Sequence, residues 1–130
     1  MKKVLMFEFN SLIDGLTVDR AIAPFGAEVV PVARKNYNKP LEDLLDEWSD
    51  VYDEDAENED YTGAPLGGRM LVFSELDQEL NEILAALRSG GIGPDCLKAV
   101  VTVHNREWDA VKLYNELQRE RQEMLKMKRK

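Results

Sequence analysis

The chain contains 130 residues, of which 44% are hydrophobic and 32% charged, values typical of a single soluble globular domain. No run of about 18 apolar residues occurs, and the apolar start of the chain ends at Glu8, too early for a secretory signal. We therefore expect a cytoplasmic protein without a membrane partner. A single cysteine, Cys96, excludes an internal disulfide, and with the single histidine, His104, it provides too few ligands for a structural Cys/His zinc site.

The net charge of −8 comes from one acidic segment. Residues 42–60 contain eleven Asp or Glu and no Lys or Arg, which leaves 14 acidic and 17 basic residues, a balance of +3, in the rest of the chain. The chain ends in a short basic tail that contains Lys126, Lys128, Arg129 and Lys130. Because binding to a phosphate backbone needs many basic residues on one surface, this distribution argues against a nucleic-acid partner.

Four short apolar runs predict β-strands. They cover residues 4–7, 29–32, 70–73 and 99–103. Each run is mostly β-branched or aromatic and does not alternate with polar residues, which indicates strands that are covered on both faces. This pattern favours an α/β fold with a four-stranded parallel sheet flanked by helices. Pro31 lacks a backbone donor, so the second strand is expected at an edge of the sheet.

Helices are predicted after each strand. An apolar stripe over residues 76–87 ends at Gly90, and Ser74 and Asp77 have the spacing of a capping box before it. A last helix starts near residue 107 and passes Leu117, beyond which residues 118–123 have no apolar face, so this helix is expected to project. Shorter helices are predicted over residues 41–48 and 17–23. We expect Trp108, in the first turn of the last helix, to be structural.

The strand and helix order repeats, which suggests two related halves. We assign residues 1–49 to the first half, 50–68 to an acidic and Gly/Pro-rich linker, and 69–130 to the second half with its projecting C-terminal helix. The apolar runs match at offsets of 66 and 71 residues, and Asn36 matches Asn105 at 69. Chance matching of apolar residues is the alternative explanation. Residues 50–63 are expected to be the least ordered part of the chain.

The linker is long enough to let the third strand run in either direction. In an all-parallel sheet, Asn10 and Ser74 would lie at one edge. In the alternative, an α+β ferredoxin-like arrangement, the first two strands would end on one side and the last two on the other.

Several residues of the second half resemble a family of small bacterial proteins known as a domain of unknown function, number thirty-seven eighty-three. The similar residues are 70–74, the helix over 80–87, 97–100, Thr102, Asn105, Trp108 and 113–117. The first half is also similar, at its opening strand and at residues 37–41, although Gly15 and Pro24 interrupt its first helix. The resemblance implies a compact cytoplasmic bacterial protein and carries over no catalytic residue.

Polar residues follow each predicted strand, and a parallel sheet would bring them to the edge where open α/β folds bind ligands. This candidate ligand site contains Asn10, Asn36, Ser74, His104 and Asn105. Helix capping explains the same residue types, and Asn105 is expected to cap the last helix. His104 is the natural acid or base. No nucleophile accompanies it, because Cys96 precedes the fourth strand and is expected at the opposite edge. We therefore assign no catalytic residue.

Cofactor and metal motifs are not found. The glycines at 63, 67 and 68 precede a strand, whereas a phosphate-binding loop follows a strand and opens a helix. The acidic residues that start at Asp53 lack the turn glycine and the last glutamate of a calcium loop. The sequence thus predicts no cofactor and no metal.

Two classes of function remain. The first is a non-catalytic binding or assembly module that contacts a protein partner or a second copy through its C-terminal helix. The second is a small-molecule-binding protein or minor enzyme with a site around His104 at the carboxyl ends of the strands. A concave pocket at those strand ends would favour the second class.

Overall fold

A computed structural model describes residues 2–53 and 59–128. The strands are β1 (Lys3–Phe7), β2 (Glu28–Pro31), β3 (Met70–Ser74) and β4 (Leu97–Val100). The helices are α1 (Leu12–Ile22), α2 (Leu41–Leu45), α3 (Leu80–Ser89) and α4 (Ala110–Lys128). Short 3-10 turns cover Ala23–Phe25, Arg34–Asn36 and Asp50–Tyr52. The predicted α/β class is confirmed, and a strand forms at each of the four predicted runs. The fourth prediction, over residues 99–103, is wrong in its bounds, because β4 ends at Val100 and Val103 is 76% exposed.

The sheet is mixed, and the prediction of an all-parallel sheet is wrong at its centre. The strand order is β2-β1-β3-β4, in which β1 pairs with β2 and β3 pairs with β4 in parallel, while β1 and β3 are antiparallel. The carboxyl ends of the two parallel pairs therefore point to opposite ends of the sheet. The strands β2 and β3 lie on either side of β1 and run in opposite directions, so the connection between them starts and ends at the same end of the sheet and needs no crossover. Pro31 lies in an edge strand, as predicted.

Both faces of the sheet are covered, which explains the continuous apolar runs. The first face packs against α1 and α3, and its core contains Val4, Val18, Ile22, Leu71, Phe73, Ile83 and Leu87. The second face packs against α2 and α4, and its core contains Leu5, Phe7, Leu41, Leu44, Met70, Val72 and Leu113. Burial on both faces requires apolar residues at every position of a strand, whichever way its neighbour runs.

The two halves have corresponding features at offsets that differ from those predicted. Glu8 and Glu75 follow β1 and β3 with positive φ angles of 62° and 59°, an offset of 67 residues. An offset of 66 would align Val4 with Met70, which lie on opposite faces of the sheet. Side chains alternate between faces, so a shift of one residue exchanges the two cores. The origin of the halves in one repeated unit stays a prediction.

The helix starts differ from the predicted capping residues. Ser74 belongs to β3, and α3 begins only at Leu80, so the expected capping box does not form there. The first helix starts earlier than predicted, because the hydroxyl of Ser11 accepts a bond from the backbone N–H of Asp14 at 3.4 Å. Gly15 lies inside this helix.

The acidic segment is bonded to the domain directly after the residues that are not described. Residues 54–58 of the predicted linker lie outside the described parts of the chain. The backbone N–H of Tyr61 donates to the carbonyl of Lys35 at 2.9 Å, and the side chain of Asn38 donates to the carbonyl of Glu59 at 3.0 Å. Among the described helices, none combines the length and apolar character needed to cross a bilayer.

Candidate functional site

The structure separates the residues of the predicted ligand site into two groups. Asn10 and Asn36 follow β1 and β2 at one end of the sheet. Ser74, His104 and Asn105 lie at the end of β3 or beyond β4, at the opposite end. The antiparallel pairing of β1 with β3 causes this separation, so the five residues do not form one site.

At the first end, a small polar cleft of about 180 Å³ is lined by Glu8, Asn10, Arg34 and Tyr37. The carboxylate of Glu8 accepts bonds from the Tyr37 hydroxyl at 3.0 Å and from the backbone N–H of Leu66 at 2.9 Å. Burial, followed by the bond and charge of Glu8, raises the pKa of Tyr37 to about 12. Glu8 thus ties the connection before β3 to the sheet, which is a structural role.

Asn36, which completes this end, is buried. Its backbone N–H donates to the carbonyl of Ala33 at 2.9 Å, and its carbonyl accepts from the N–H of Lys39 at 3.1 Å. These bonds belong to the turn between β2 and α2.

At the second end, Asn105 stabilises the chain after β4 and does not cap α4, which corrects the sequence-based expectation. Its side-chain oxygen accepts from the N–H of Thr102 at 2.8 Å, and its side-chain nitrogen donates to the carbonyl of Val100 at 3.0 Å. The helix is capped instead by Asp109, which accepts from the N–H of Lys112 at 2.9 Å.

His104 is exposed, and its backbone N–H donates to the Thr102 hydroxyl at 3.2 Å. The buried Cys96 precedes β4, whereas His104 follows it, so the two side chains lie at opposite ends of this strand. Burial raises the pKa of the Cys96 thiol, which opposes its use as a nucleophile. Among the described residues, no group of three or more His, Cys, Asp or Glu could hold a metal ion.

The second half also carries a groove along β4. We call it the edge groove; its volume is about 400 Å³. Its lining includes Leu80 and Leu84 of α3, Val100 of β4, Leu113 and Leu117 of α4, and Trp108 and His104 of the loop between β4 and α4. The outer edge of β4 therefore lies between two apolar walls, one from each helix layer.

A second groove of about 570 Å³ extends along the far half of α4, and we call it the helix groove. The two grooves share Lys98, Leu117 and Glu120, so they form one continuous surface. Met124 and Leu125 complete its apolar lining and are 61% and 53% exposed.

Charged groups along this surface are held by local contacts. The ammonium of Lys98 donates to the carbonyls of Gly93 and Cys96 at 2.9 Å, and burial lowers its pKa. Arg121 donates to the carbonyl of Pro94, which fastens α4 to the turn before β4. The surface thus presents an apolar stripe whose polar rim already has some of its hydrogen bonds made within the chain.

The sequence analysis pointed to the C-terminal helix as a contact surface but missed the edge groove, because it searched the strand ends and not the strand edges. One available signal is that only the second of the four predicted strands contains a proline, which protects an edge, whereas the fourth has none.

Residues 69–124 match the family model described as a domain of unknown function, DUF3783. This match confirms the resemblance for the second half of the chain and does not reach the first half. No curated protein and no solved structure matched the chain.

Proposed function

We propose that this protein, whose residues 69–124 match the DUF3783 family model, is a non-catalytic assembly module that self-associates through α4. The proposal rests on the far half of this helix, where Met124, Leu125 and Met127 are 61%, 53% and 75% exposed. Isolated exposed apolar residues are common, but Met124 and Leu125 both line the helix groove together with Leu117. Such a patch is typical of a protein interaction site.

A second copy is the partner that this surface fits best. In an antiparallel pair of α4 helices related by a two-fold axis, Leu117 packs against Met124 of the second copy, and Glu120 lies opposite Arg121. The apolar contact excludes water, and the opposite charges set the register of the pair. The module works in the cytoplasm, uses no cofactor, and has neither nucleic acid nor membrane as a partner.

Solution mass tests the proposal directly. Sedimentation equilibrium is expected to show a concentration-dependent dimer for the wild type and a monomer for the Met124→Gln, Leu125→Gln double variant. Ile13→Gln is the matched control, because Ile13 is 74% exposed on α1, far in sequence from the helix groove, and its loss is expected to leave the dimer intact. A wild type that stays monomeric at all concentrations would refute the proposal.

The charge pair gives a second test of the same interface. Glu120→Arg alone places two arginines opposite each other and is expected to weaken the dimer. Combining it with Arg121→Glu reverses both charges and is expected to restore much of the affinity. Equal affinity of the single and the double variant would show that α4 does not pair in this register.

A small-molecule-binding protein is the second candidate, favoured by the volume of the edge groove. About 400 Å³ lies within the usual range for ligand pockets, and His104 is at its margin. A thermal-shift screen with nucleotides and common metabolites tests this candidate. A stabilising compound whose effect is lost in His104→Ala, without a change in solution mass, would support it over self-association.

A further inference from the structure

The outer edge of β4 has unpaired backbone groups. The N–H of Leu97 donates to Arg69 and the N–H of Val101 donates to Phe73, so the odd-numbered residues of this segment face β3. In a parallel ladder the residues between them face away from the partner strand. Lys98 and Val100 therefore direct their N–H and C=O groups into the edge groove.

Most of these outward groups are available for a further strand. The carbonyl of Val100 accepts the side chain of Asn105 at 3.0 Å. Within residues 2–53 and 59–128, β4 is the last strand of the sheet and pairs only with β3, so no neighbouring strand bonds the N–H of Lys98, the C=O of Lys98 or the N–H of Val100. Asn105 thus occupies the outward carbonyl at the end of β4, and the backbone groups of Lys98 remain accessible to a further strand.

The opposite edge of the sheet is blocked at the equivalent position. Pro31 of β2 pairs with Met6 of β1, and Val100 of β4 pairs with Phe73 of β3 at the corresponding position. In each outer strand, the next residue donates the last hydrogen bond of the parallel ladder. Proline has no N–H, so β2 cannot offer the outward donor that β4 offers. An outward proline is one of the means by which proteins protect an edge strand.

We infer that β4 of one copy pairs antiparallel with β4 of a second copy, so that two four-stranded sheets join into one. This inference rests on the proposed self-association through α4 and identifies a second contact about the same two-fold axis. The second copy is the occupant because the edge groove is continuous with the helix groove through Lys98, Leu117 and Glu120. A two-fold axis that pairs the two α4 helices, which cover the same face of both sheets, also places the two β4 edges next to each other.

Val100→Pro is the decisive variant. It removes one outward N–H from each copy and leaves the ladder with β3 intact, and Pro31 shows that the same register position accepts proline. Val100→Ala is the matched control, since it shortens the side chain but keeps the N–H. We expect the dimer dissociation constant to rise about tenfold in Val100→Pro, because two interfacial hydrogen bonds are lost, and to change less in Val100→Ala.

Backbone amide exchange on the wild type tests the inference even if Val100→Pro fails to fold. The amides of Lys98 and Val100 are expected to become protected as protein concentration rises through the dissociation constant. The amide of Ala99, which faces β3, is an internal reference and is expected to be protected at every concentration.

The outcomes separate the two proposals. Fast exchange at Lys98 and Val100 in a dimer that the Met124→Gln, Leu125→Gln variant disrupts would refute β4 pairing and leave the α4 interface standing. A dimer that survives this α4 variant but is lost in Val100→Pro, with Val100→Ala still dimeric, would support β4 pairing and refute the α4 interface. A monomeric wild type would refute both.

Discussion

Replacing Asn105 by alanine removes a side chain that joins the end of β4 to the following loop. Asn105 is 9% exposed and makes one bond as acceptor, to the N–H of Thr102, and one as donor, to the carbonyl of Val100. A helix cap would cost about 1 kcal/mol. Two bonds of about 1 kcal/mol each, with partners that are only part-buried, give a loss of about 2 kcal/mol.

The chemistry of the two bonds can be separated with a second substitution. Asn105→Asp keeps the acceptor toward Thr102 but places a carboxylate oxygen against the carbonyl of Val100. This repulsion raises the pKa of the new carboxyl, so the stability of this variant is greatest when it is protonated at low pH and is lost as pH rises. The loss of stability of Asn105→Asp relative to the wild type is therefore expected to be larger at pH 7 than at pH 4.

Urea denaturation at one fixed protein concentration measures both effects, and the concentration must be constant because dimer formation adds apparent stability. Asn115→Ala is the control, since Asn115 is exposed on α4 and alanine is a better helix former. A value for Asn105→Ala within about 0.5 kcal/mol of the wild type, which is the usual effect of a neutral surface substitution, would refute the bridging role.

Three further predictions address other contacts. The pKa of Tyr37 is raised from 10.0 to about 12, so the folded state favours the neutral phenol. The contribution of Tyr37 to the free energy of unfolding is fully present below pH 10 and falls by up to about 3 kcal/mol as the pH rises toward 12. Tyr37→Phe should remove this loss, as measured by urea titrations at both pH values. Trp108 is half-buried against the second core, so Trp108→Ala is expected to lower the free energy of unfolding by about 2 kcal/mol, and an unchanged melting temperature would contradict its structural role. Arg69 bonds Asp14 of the first half at 3.0 Å and Asp95 at 2.8 Å, so Arg69→Gln is expected to cost about 1 kcal/mol at low salt and less at 1 M salt, as measured by chemical denaturation.

Coverage of the strands could be predicted from the sequence, but their direction could not. The run over residues 70–73 contains four apolar residues, and all four are buried between helices. A strand needs the same apolar run whether its neighbours are parallel or antiparallel, because its burial depends on the helices that cover its two faces and not on the strands at its edges. The direction of β3 depends on how residues 50–68 return to the sheet, and their acidic and Gly/Pro-rich composition does not specify a path.

The polar residues at the strand ends show a different limit. Asn105 was predicted as a cap because it follows a strand and precedes a helix, and Asn is a common capping residue. The sequence between it and α4 contains Asp109, which is also a good cap and lies closer to the helix. Residue type alone could not decide between them, because the choice depends on where the turn after β4 ends.

The proposed binding surface lies in the second half for reasons visible in the structure. The two parallel strand pairs have the same register, but α2 has five residues and α4 has 19. Only α4 is long enough to extend past its own strand pair and add the helix groove to the edge groove. Pro31 leaves β2 without an outward N–H donor, whereas Val100 provides one in β4. The longer helix and the open edge therefore belong to the same strand pair. The family match over residues 69–124 spans β3, α3, β4 and α4 as far as Met124, which are the elements that build both grooves. If the proposed interface is correct, the matched segment contains its binding surface as far as Met124 and leaves out Leu125, and the first half contributes mainly the central strand β1 that supports β3.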